Sequence, residues 1–322
     1  NLMFELDSEF ELPRKETDDL MMERLPGTNL VRLVMLHWDD RPTEGTGDRR
    51  NDCAESGSGT VQSGRLISRQ CLEQFDAILR WAHGHGMWAI ITARASIAAG
   101  EVVNGVEGAN VFANAALRNR FVRMWAQVAA RYKDFDGIAA YEILSEPRVR
   151  PGEGEISADD VRGFYEVACS AIHAEDARTP CMIGAAPYYR ASALEDVLIP
   201  NGNVIYAFNF FVPKAYVNGE ARDQAYPGSM RCCDAYAAGS WRRSQCCAEQ
   251  CCDKVVPFDR GLLQQQLSAP LQFSHSRQVP VLLDQWGVQR DAIGRATYLS
   301  DMQALLLESG VHWTYWQWRQ RE

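Results

Sequence analysis

The stretch from Gly137 to Arg148 reads Gly-Ile-Ala-Ala-Tyr-Glu-Ile-Leu-Ser-Glu-Pro-Arg. Its apolar part, residues 138–144, predicts a strand that is covered on both faces, as the parallel strands of α/β proteins are. Because Pro147 cannot donate to a central strand ladder, this strand must end near Ser145 and Glu146. A carboxylate at the carboxyl end of a buried strand is where α/β barrels carry their chemistry, although an ordinary solvated glutamate fits this segment equally well.

Seven other segments carry the apolar runs of strands, and amphipathic helical patterns separate most neighbours. This alternation predicts a parallel sheet with right-handed crossovers, and eight such units close into a (β/α)8 TIM barrel of the α/β class. A doubly wound open sheet is the alternative, but no Gly-x-Gly-x-x-Gly turn follows a strand. We therefore expect a single barrel domain over residues 1–322. The seven segments are residues 1–6, 30–36, 88–92, 181–185, 203–211, 279–287 and 311–316.

The composition limits the classes of partner. A net charge of -9 argues against nucleic acid and anionic membranes, because both require a basic surface. No apolar run approaches the roughly 20 residues that span a bilayer. A neutral substrate is compatible with this charge. Nine tryptophans and eleven tyrosines suit flat ligands such as sugar rings, although most of them will be core residues.

The cysteines are concentrated in one region. Of the ten, six form three adjacent pairs, at 232–233, 246–247 and 251–252. This density predicts a disulfide-rich insertion after the sixth strand, at residues 215–258, in a secreted or extracellular protein. A zinc site is the rival interpretation, but Cys-x-x-Cys spacing is missing, and the histidines show no metal spacing either. The chain begins without a signal peptide, so a secreted protein would be shown here in processed form.

In a barrel, the carboxyl ends of all strands converge on one mouth. Arg32 is a charge inside an apolar strand and should therefore meet a carboxylate or a ligand there. Trp286 and Trp316 are candidates for platforms on which a sugar stacks, with core packing as the alternative; Trp38 is a weaker candidate. Phe211 fits packing better than contact, whereas Asn209 could bind a hydroxyl. The complete set of strand-end candidates is Arg32, Trp38, Arg94, Ser145, Glu146, Asn209, Phe211, Gln285, Trp286 and Trp316.

With these residues at the strand ends, the stretch Leu30–Trp318 resembles the family 5 glycoside hydrolases. These are cellulase-like retaining enzymes with a barrel fold. The arginine of the family's second strand is matched by Arg32. The Asn-Glu-Pro that ends its fourth strand is matched by Ser-Glu-Pro at 145–147. Its seventh strand ends in a glutamate, an aromatic residue and a glycine, where this chain has Gln-Trp-Gly at 285–287. A tryptophan closes the eighth strand, matched by Trp316.

The resemblance implies an endo-β-glycosidase without a cofactor or metal, acting through two carboxylates about 5–5.5 Å apart. Glu146 occupies the acid/base position, but Gln285 occupies the position of the nucleophile. A neutral amide cannot attack the anomeric carbon or balance the positive charge of the transition state, so we expect the chain to be inactive as written. The adjacent Asp284 should not substitute, because successive strand residues point to opposite faces.

Other departures from the family pattern leave alternatives open. Ser145 replaces an asparagine that, by resemblance, binds the sugar 2-hydroxyl. Asn209 and Phe211 replace a histidine and a tyrosine, and Arg94 lies where many relatives have a histidine. So many changes favour a natural loss of the usual machinery over a single engineered Glu→Gln substitution. The chain is then either a glycosidase blocked at Gln285, a non-catalytic carbohydrate-binding pseudoenzyme or interaction protein, or a structural surface protein that uses its cysteine-rich insertion for contact. We expect a monomer that recognises a β-linked oligo- or polysaccharide, whose identity the sequence does not specify.

Overall fold

The computed structural model divides the chain into two compact units, Asn1–Tyr206 with Gln317–Glu322, and Ala207–Trp316. Four of the six paired cysteines, at 246–247 and 251–252, lie outside the residues that the structure describes. The predictions about their disulfides therefore stay predictions. The described residues are 2–5, 27–38, 67, 69–95, 102–103, 106–107, 111–112, 115–147, 156–235 and 254–316.

The first unit contains five parallel strands whose order in the sheet follows their order in the chain. They are β1 (Leu2–Glu5), β2 (Leu30–Trp38), β3 (Trp88–Ala95), β4 (Ile138–Ser145) and β5 (Cys181–Gly184). Its long helices are α1 (Arg69–Gly84), α2 (Ala115–Tyr132) and α3 (Ala158–Glu175), and its shorter elements are the 3-10 helix Ala191–Val197 and the paired strands Val102–Val103 and Val106–Glu107.

The two faces of β4 differ in what they contact. Tyr141 contacts the ring of Trp125 in α2, with ring centroids 6.0 Å apart, and donates to Asp176 beyond the end of α3. Because side chains alternate along a strand, Glu142 lies on the opposite face, away from these helices. The register with β3 pairs Thr92 with Glu142 and then Arg94 with Ser145, so β4 contains one extra residue between Glu142 and Ser145. Such a bulge brings Glu142 and Ser145 to the same face.

Helix α3 begins with a capping box. The Ser157 hydroxyl accepts a hydrogen bond from the Asp160 amide at 3.1 Å, and the Asp160 carboxylate accepts from the Ser157 amide at 2.7 Å. Two of the amide groups that no helical carbonyl can reach are satisfied in this way. The hydrogen bonds from Ser157 also lower the pKa of the Asp160 carboxyl. The sequence of this segment therefore sets where the helix after β4 starts.

The second unit carries the remaining strands and two long helices. The strands are β6 (Val204–Phe210), which begins before the unit boundary, β7 (Val281–Trp286) and β8 (His312–Tyr315), the last two being parallel neighbours. Helix α4 (Arg260–Arg277) precedes β7, and α5 (Arg295–Ser309) connects β7 to β8. Between β6 and α4 lie the short helices Lys214–Val217 and Cys232–Ala235 and the antiparallel strands Gly228–Arg231 and Val255–Phe258.

Aromatic side chains in and just before these antiparallel strands connect them to α5. The rings of Tyr226 and Phe258 lie 4.8 Å apart, and Tyr226 contacts Tyr298 of α5 at 5.3 Å. The Tyr226 hydroxyl donates to Asp301 at 2.7 Å. At Gly294, where φ is 81°, a Cβ atom would lie only 1.7 Å from the Tyr226 carbonyl oxygen, so only glycine fits there. The described part of the insertion is thus firmly attached to the helix after β7.

Eight strands with helices between most of them are the elements of a (β/α)8 barrel, and the predicted fold class is confirmed. The single domain and the disulfide-rich character of the insertion stay predictions. Within the described residues, no helix combines the length and the apolar character needed to cross a membrane.

Candidate active site

Glu146 follows β4 directly and has an unusual backbone. Its φ is 48°, in the left-handed region that non-glycine residues avoid, at a cost of about 1–3 kcal/mol. Two contacts from the segment after β5 hold the chain on either side of it. The Tyr189 hydroxyl donates to the Leu144 carbonyl at 2.7 Å, and the Tyr188 amide donates to the Pro147 carbonyl at 3.0 Å. A half-buried carboxylate on a strained, firmly held backbone is typical of functional sites.

Arg32 lies below this strand end and is completely buried. Its guanidinium binds the Glu142 carboxylate with two hydrogen bonds, from Nε at 2.6 Å and from Nη2 at 2.7 Å. Nη2 also donates to the Ser145 hydroxyl at 2.7 Å, and the Thr92 hydroxyl donates to Glu142 at 2.6 Å. The carboxylate partner predicted for Arg32 is therefore present, and it is Glu142.

Sequence reasoning missed Glu142, although a signal for it existed. A glutamate within the apolar run of β4 is as conspicuous as an arginine within β2, and buried charges require partners. Pairing the two would have identified the contact. Burial raises the pKa of the nearby Tyr165 hydroxyl, and the negative charge of Glu142 raises it further. Tyr165 therefore stays protonated and donates to the Gly184 carbonyl at 3.0 Å.

Gln285 lies near the end of β7 and is almost completely buried. Its side-chain Nε2 is 3.3 Å from Oδ2 of the fully buried Asp284. The expectation that the two side chains point to opposite faces is wrong, since their ends meet. The register explains this: Leu283 pairs with Trp313 and Trp286 with Tyr315, so β7 has one extra residue where simple alternation fails. A carboxylate only accepts hydrogen bonds, so the amide must present its NH2 group to Asp284.

Trp286 is a core residue. Its ring is completely buried and meets Trp313 and Tyr315 edge to face, at centroid distances of 5.4 and 5.2 Å. With no exposed face it cannot serve as a stacking platform, which corrects that expectation. Trp316 is half-buried, and its amide donates to the Trp286 carbonyl at 2.9 Å. A Cβ atom at Gly287 would lie 2.4 Å from the Trp316 carbonyl oxygen, which explains the glycine after Trp286.

The other predicted site residues are placed only in part. Asn209 in β6 and Phe211 just after it are half-buried. Trp38 ends β2 and Arg94 lies near the end of β3, where its backbone is paired with Ser145, but the side chains of both are outside the described residues. Among the residues that the structure describes, no group of three or more histidine, cysteine, aspartate or glutamate side chains could hold a metal ion.

The two strand ends thus offer different chemistry. The end of β4 has a carboxylate that can give or take a proton. The end of β7 has an amide, which can bind a hydroxyl but cannot act as a general base or a stable nucleophile.

Solved structures resemble the chain in fold. The Thermotoga maritima endoglucanase with cellobiose has 19% identity and a TM-score of 0.64, and its complex with mannotriose has 18% and 0.65; both comparisons cover 95% of this chain and 83% of the other. Cellulose synthase subunit Z of Clostridioides difficile has 13% identity and a TM-score of 0.64, over 99% of this chain and 91% of the other. At such identities the likeness establishes the fold alone.

No curated protein matches the chain. The family model described as cellulase (glycosyl hydrolase family 5) matches residues 11–322, which is nearly the whole sequence. The resemblance first noted at the strand ends therefore extends over the barrel, and the chain belongs to glycosyl hydrolase family 5.

Proposed function

We propose that this chain binds a β-linked oligo- or polysaccharide through its strand-end residues and that retaining hydrolysis is blocked at Gln285. The observation that carries the proposal is the buried Gln285 amide at the end of β7, followed by Trp286 and Gly287 and hydrogen-bonded to Asp284. In the family pattern this is the position of the nucleophile. Glu146, on its strained backbone, takes the acid/base position and keeps the ability to protonate a leaving oxygen.

The choice of ligands follows from the relatives. The Thermotoga maritima enzyme has been solved with cellobiose and with mannotriose, so β-linked glucose and mannose oligomers are the first candidates for this chain. These ligands are neutral, which agrees with a net charge of -9.

Asp284 affects how hydrolysis can be restored. The Gln285→Glu substitution would place a second carboxylate where the amide now lies 3.3 Å from Asp284. Two carboxylates at that distance cannot both ionise easily, so they would share a proton and one pKa would rise. Full restoration therefore requires Asp284→Asn together with Gln285→Glu, because an amide introduced at position 284 could donate to the carboxylate introduced at position 285.

The experiment compares four proteins: the chain as it is, Gln285→Glu, the Asp284→Asn/Gln285→Glu double variant, and that double variant with Glu146→Gln. Hydrolysis of β-glucans, mannans and aryl β-glycosides is measured together with oligosaccharide binding. We expect binding without turnover by the first protein, weak turnover by the second and the highest turnover by the third. Glu146→Gln should lower the restored rate by about 10²–10⁴-fold, because it removes the general acid. Hydrolysis by the unmodified chain would contradict the proposed block.

A non-catalytic carbohydrate-binding protein is the second candidate. It is favoured by Ser145, whose buried hydroxyl accepts from Arg32 in place of the family's sugar-binding asparagine. Under this alternative, none of the four proteins hydrolyses any substrate while oligosaccharide binding persists. Failure to bind any β-glycan would count against both candidates and favour a structural surface protein.

We also propose a secreted, monomeric protein. The disulfide-bonded state of Cys232 supports an oxidising compartment, whereas Cys169 and Cys181 are buried free thiols outside the insertion. Alkylation of the denatured protein without reduction should label Cys169 and Cys181 but leave Cys232 unlabelled. Labelling of all ten cysteines would exclude the disulfides. Size-exclusion chromatography tests the monomer.

A further inference from the structure

A small polar cavity of about 220 Å³ lies in the unit Ala207–Trp316. Two segments line it, one within residues 216–222 after β6 and one within residues 289–292 after β7. None of these residues belongs to the strand-end candidates. The volume is below the roughly 300 Å³ at which pockets for drug-sized ligands begin, so the cavity suits a single ring better than a long ligand.

The backbone of the two segments holds the cavity in shape. The Gln289 amide donates to the Val217 carbonyl at 3.1 Å, and the Gln289 side chain donates to the Asn218 carbonyl at 3.4 Å. The Tyr216 hydroxyl donates to the Ile293 carbonyl at 2.9 Å. Between these contacts, Gly219 has a φ of 72° and lies close to Gln289, where a Cβ would be 3.1 Å from Cγ. A ligand would therefore meet a largely preformed site, which lowers the entropic cost of binding.

The polar groups of the cavity are available to a ligand. Arg222 and Asp291 line it with opposite charges and are both exposed. Within the parts of the chain that the structure describes, neither forms an ion pair. The Asn218 side chain adds an exposed amide with both a donor and an acceptor. The cavity thus offers several donors and acceptors but no net charge.

This set of groups suits a neutral ring with several hydroxyl groups. A hydroxyl can accept from the Arg222 guanidinium and donate to the Asp291 carboxylate, so both charges are satisfied at once. An anion would be repelled by Asp291 and by the net charge of -9, and a cation would be repelled by Arg222. We infer that the cavity is a second carbohydrate site that holds one sugar unit. The inference rests on the proposed glycan binding and adds a binding position that the strand-end residues do not form.

The test uses two variants with the same change in charge. Arg222→Met/Asp291→Asn removes the charges of the cavity. Asp223→Asn/Arg290→Met removes an exposed acid and an exposed base that are their sequence neighbours but do not line the cavity. Titration calorimetry with cellotetraose and mannotetraose should show two binding sites in the unmodified chain and, in the first variant, about a tenfold loss of affinity at one of them, because charged hydrogen bonds are lost. Affinity should be unchanged in the second. An Ala221→Leu variant, which adds bulk to the cavity wall, should reproduce the loss.

The outcomes separate this inference from the proposed function. If the unmodified chain binds neither oligosaccharide, the proposed function itself fails. If it binds both and the cavity variant binds equally well, the second site is excluded while the proposed function stands. An equal loss in both charge variants would also overturn the assignment. A zwitterion such as glycylglycine fits the same opposite charges, so binding of this probe at the cavity in place of sugar would overturn it as well.

Discussion

The ends of β4 and β7 have similar backbone irregularities, but the side chains at the two corresponding positions differ in charge. Each contains one extra residue relative to its neighbouring strand, and each is followed by a residue with a special backbone requirement, Pro147 in one and Gly287 in the other. At the end of β4 the terminal side chain is the carboxylate of Glu146. In β7 the corresponding side chain, one residue before Trp286 at the strand's end, is the amide of Gln285, and the acid is the preceding residue, Asp284.

This difference shows that the shape of a strand end and its chemistry have separate causes. Register shifts and main-chain hydrogen bonds determine where the side chains lie, and these features are present at both ends. The identity of one side chain then decides whether the position can act as a nucleophile. The following predictions test the contacts that hold the ends of β4 and β7 in place.

The largest effect is expected beneath the end of β4. Arg32→Met would leave the Glu142 carboxylate buried without its main partner, at a cost of about 3–5 kcal/mol in the free energy of unfolding. Urea denaturation measures the loss. The Arg32→Met/Glu142→Leu double variant should recover most of it, because both buried charges are then removed. A double variant as unstable as the single one would show that Arg32 acts through other contacts.

On the β7 side, Gly287→Ala should destabilise the protein by about 1–3 kcal/mol. The added methyl group would lie 2.4 Å from the Trp316 carbonyl oxygen, so the main chain would have to move. Gly163→Ala is the matched control, because this site inside α3 has open space around it. There, alanine should stabilise the protein by about 0.5–1 kcal/mol. Thermal unfolding of both variants provides the comparison. Equal shifts in melting temperature would contradict a steric clash at position 287.

The hydrogen bond beside Glu146 is expected to contribute less. Tyr189→Phe removes the donor to the Leu144 carbonyl and should cost about 1–2 kcal/mol, since a buried acceptor loses its partner. Tyr188→Phe serves as control, because Tyr188 contacts Pro147 through its amide and the residue is 48% exposed. Its effect should stay below about 0.5 kcal/mol. If both variants unfold at the same urea concentration, the Tyr189 hydroxyl does not support the strand end.

The smallest effect concerns pH. Burial tends to raise the pKa of Asp176, but hydrogen bonds from Thr179, Arg178 and Tyr141 outweigh it, so the pKa in the folded protein is lowered. A lowered folded-state pKa adds stability at pH values above the unfolded value of about 3.9, and this stability is lost as the pH falls through the folded value. Melting temperatures of the wild type and Asp176→Asn should therefore differ at about pH 6 and converge only as the pH falls well below the unfolded value of about 3.9. A difference that is independent of pH would contradict this assignment.

Much of the barrel could be predicted from local patterns. The predicted strand at 138–144 agrees with Ile138–Ser145 to within one residue, because a continuous apolar run bounded by Pro147 is unambiguous. Helix α4 was harder. Its carboxyl end is not marked by the apolar pattern, because Pro270 lies inside the helix and its polar last turn closes at Gln278 in a left-handed conformation.

The candidate site could be predicted in position but not in detail. Spacing identified Glu146 and Gln285 as strand-end residues, yet the contact between Gln285 and Asp284 depends on a bulge that alternation does not reveal. The Arg32–Glu142 pair depends on two strands separated by a third, so only the requirement that buried charges be paired points to it. The cavity at Arg222 and Asp291 is formed by two loops that are far apart in the sequence. No local sequence pattern predicts that these loops lie next to each other.

The contacts that hold the end of β4 have an evolutionary consequence. The Trp125 indole, the Tyr189 hydroxyl and the Tyr188 amide donate to the main-chain carbonyls of residues 143, 144 and 147. A mutation that changes the Glu146 side chain therefore leaves these main-chain hydrogen bonds in place, whereas a change at Ser145 also removes the acceptor of a hydrogen bond from the buried Arg32. A lineage could lose catalysis by drift, keep a stable barrel, and regain or redirect the lost chemistry later through a few codon changes.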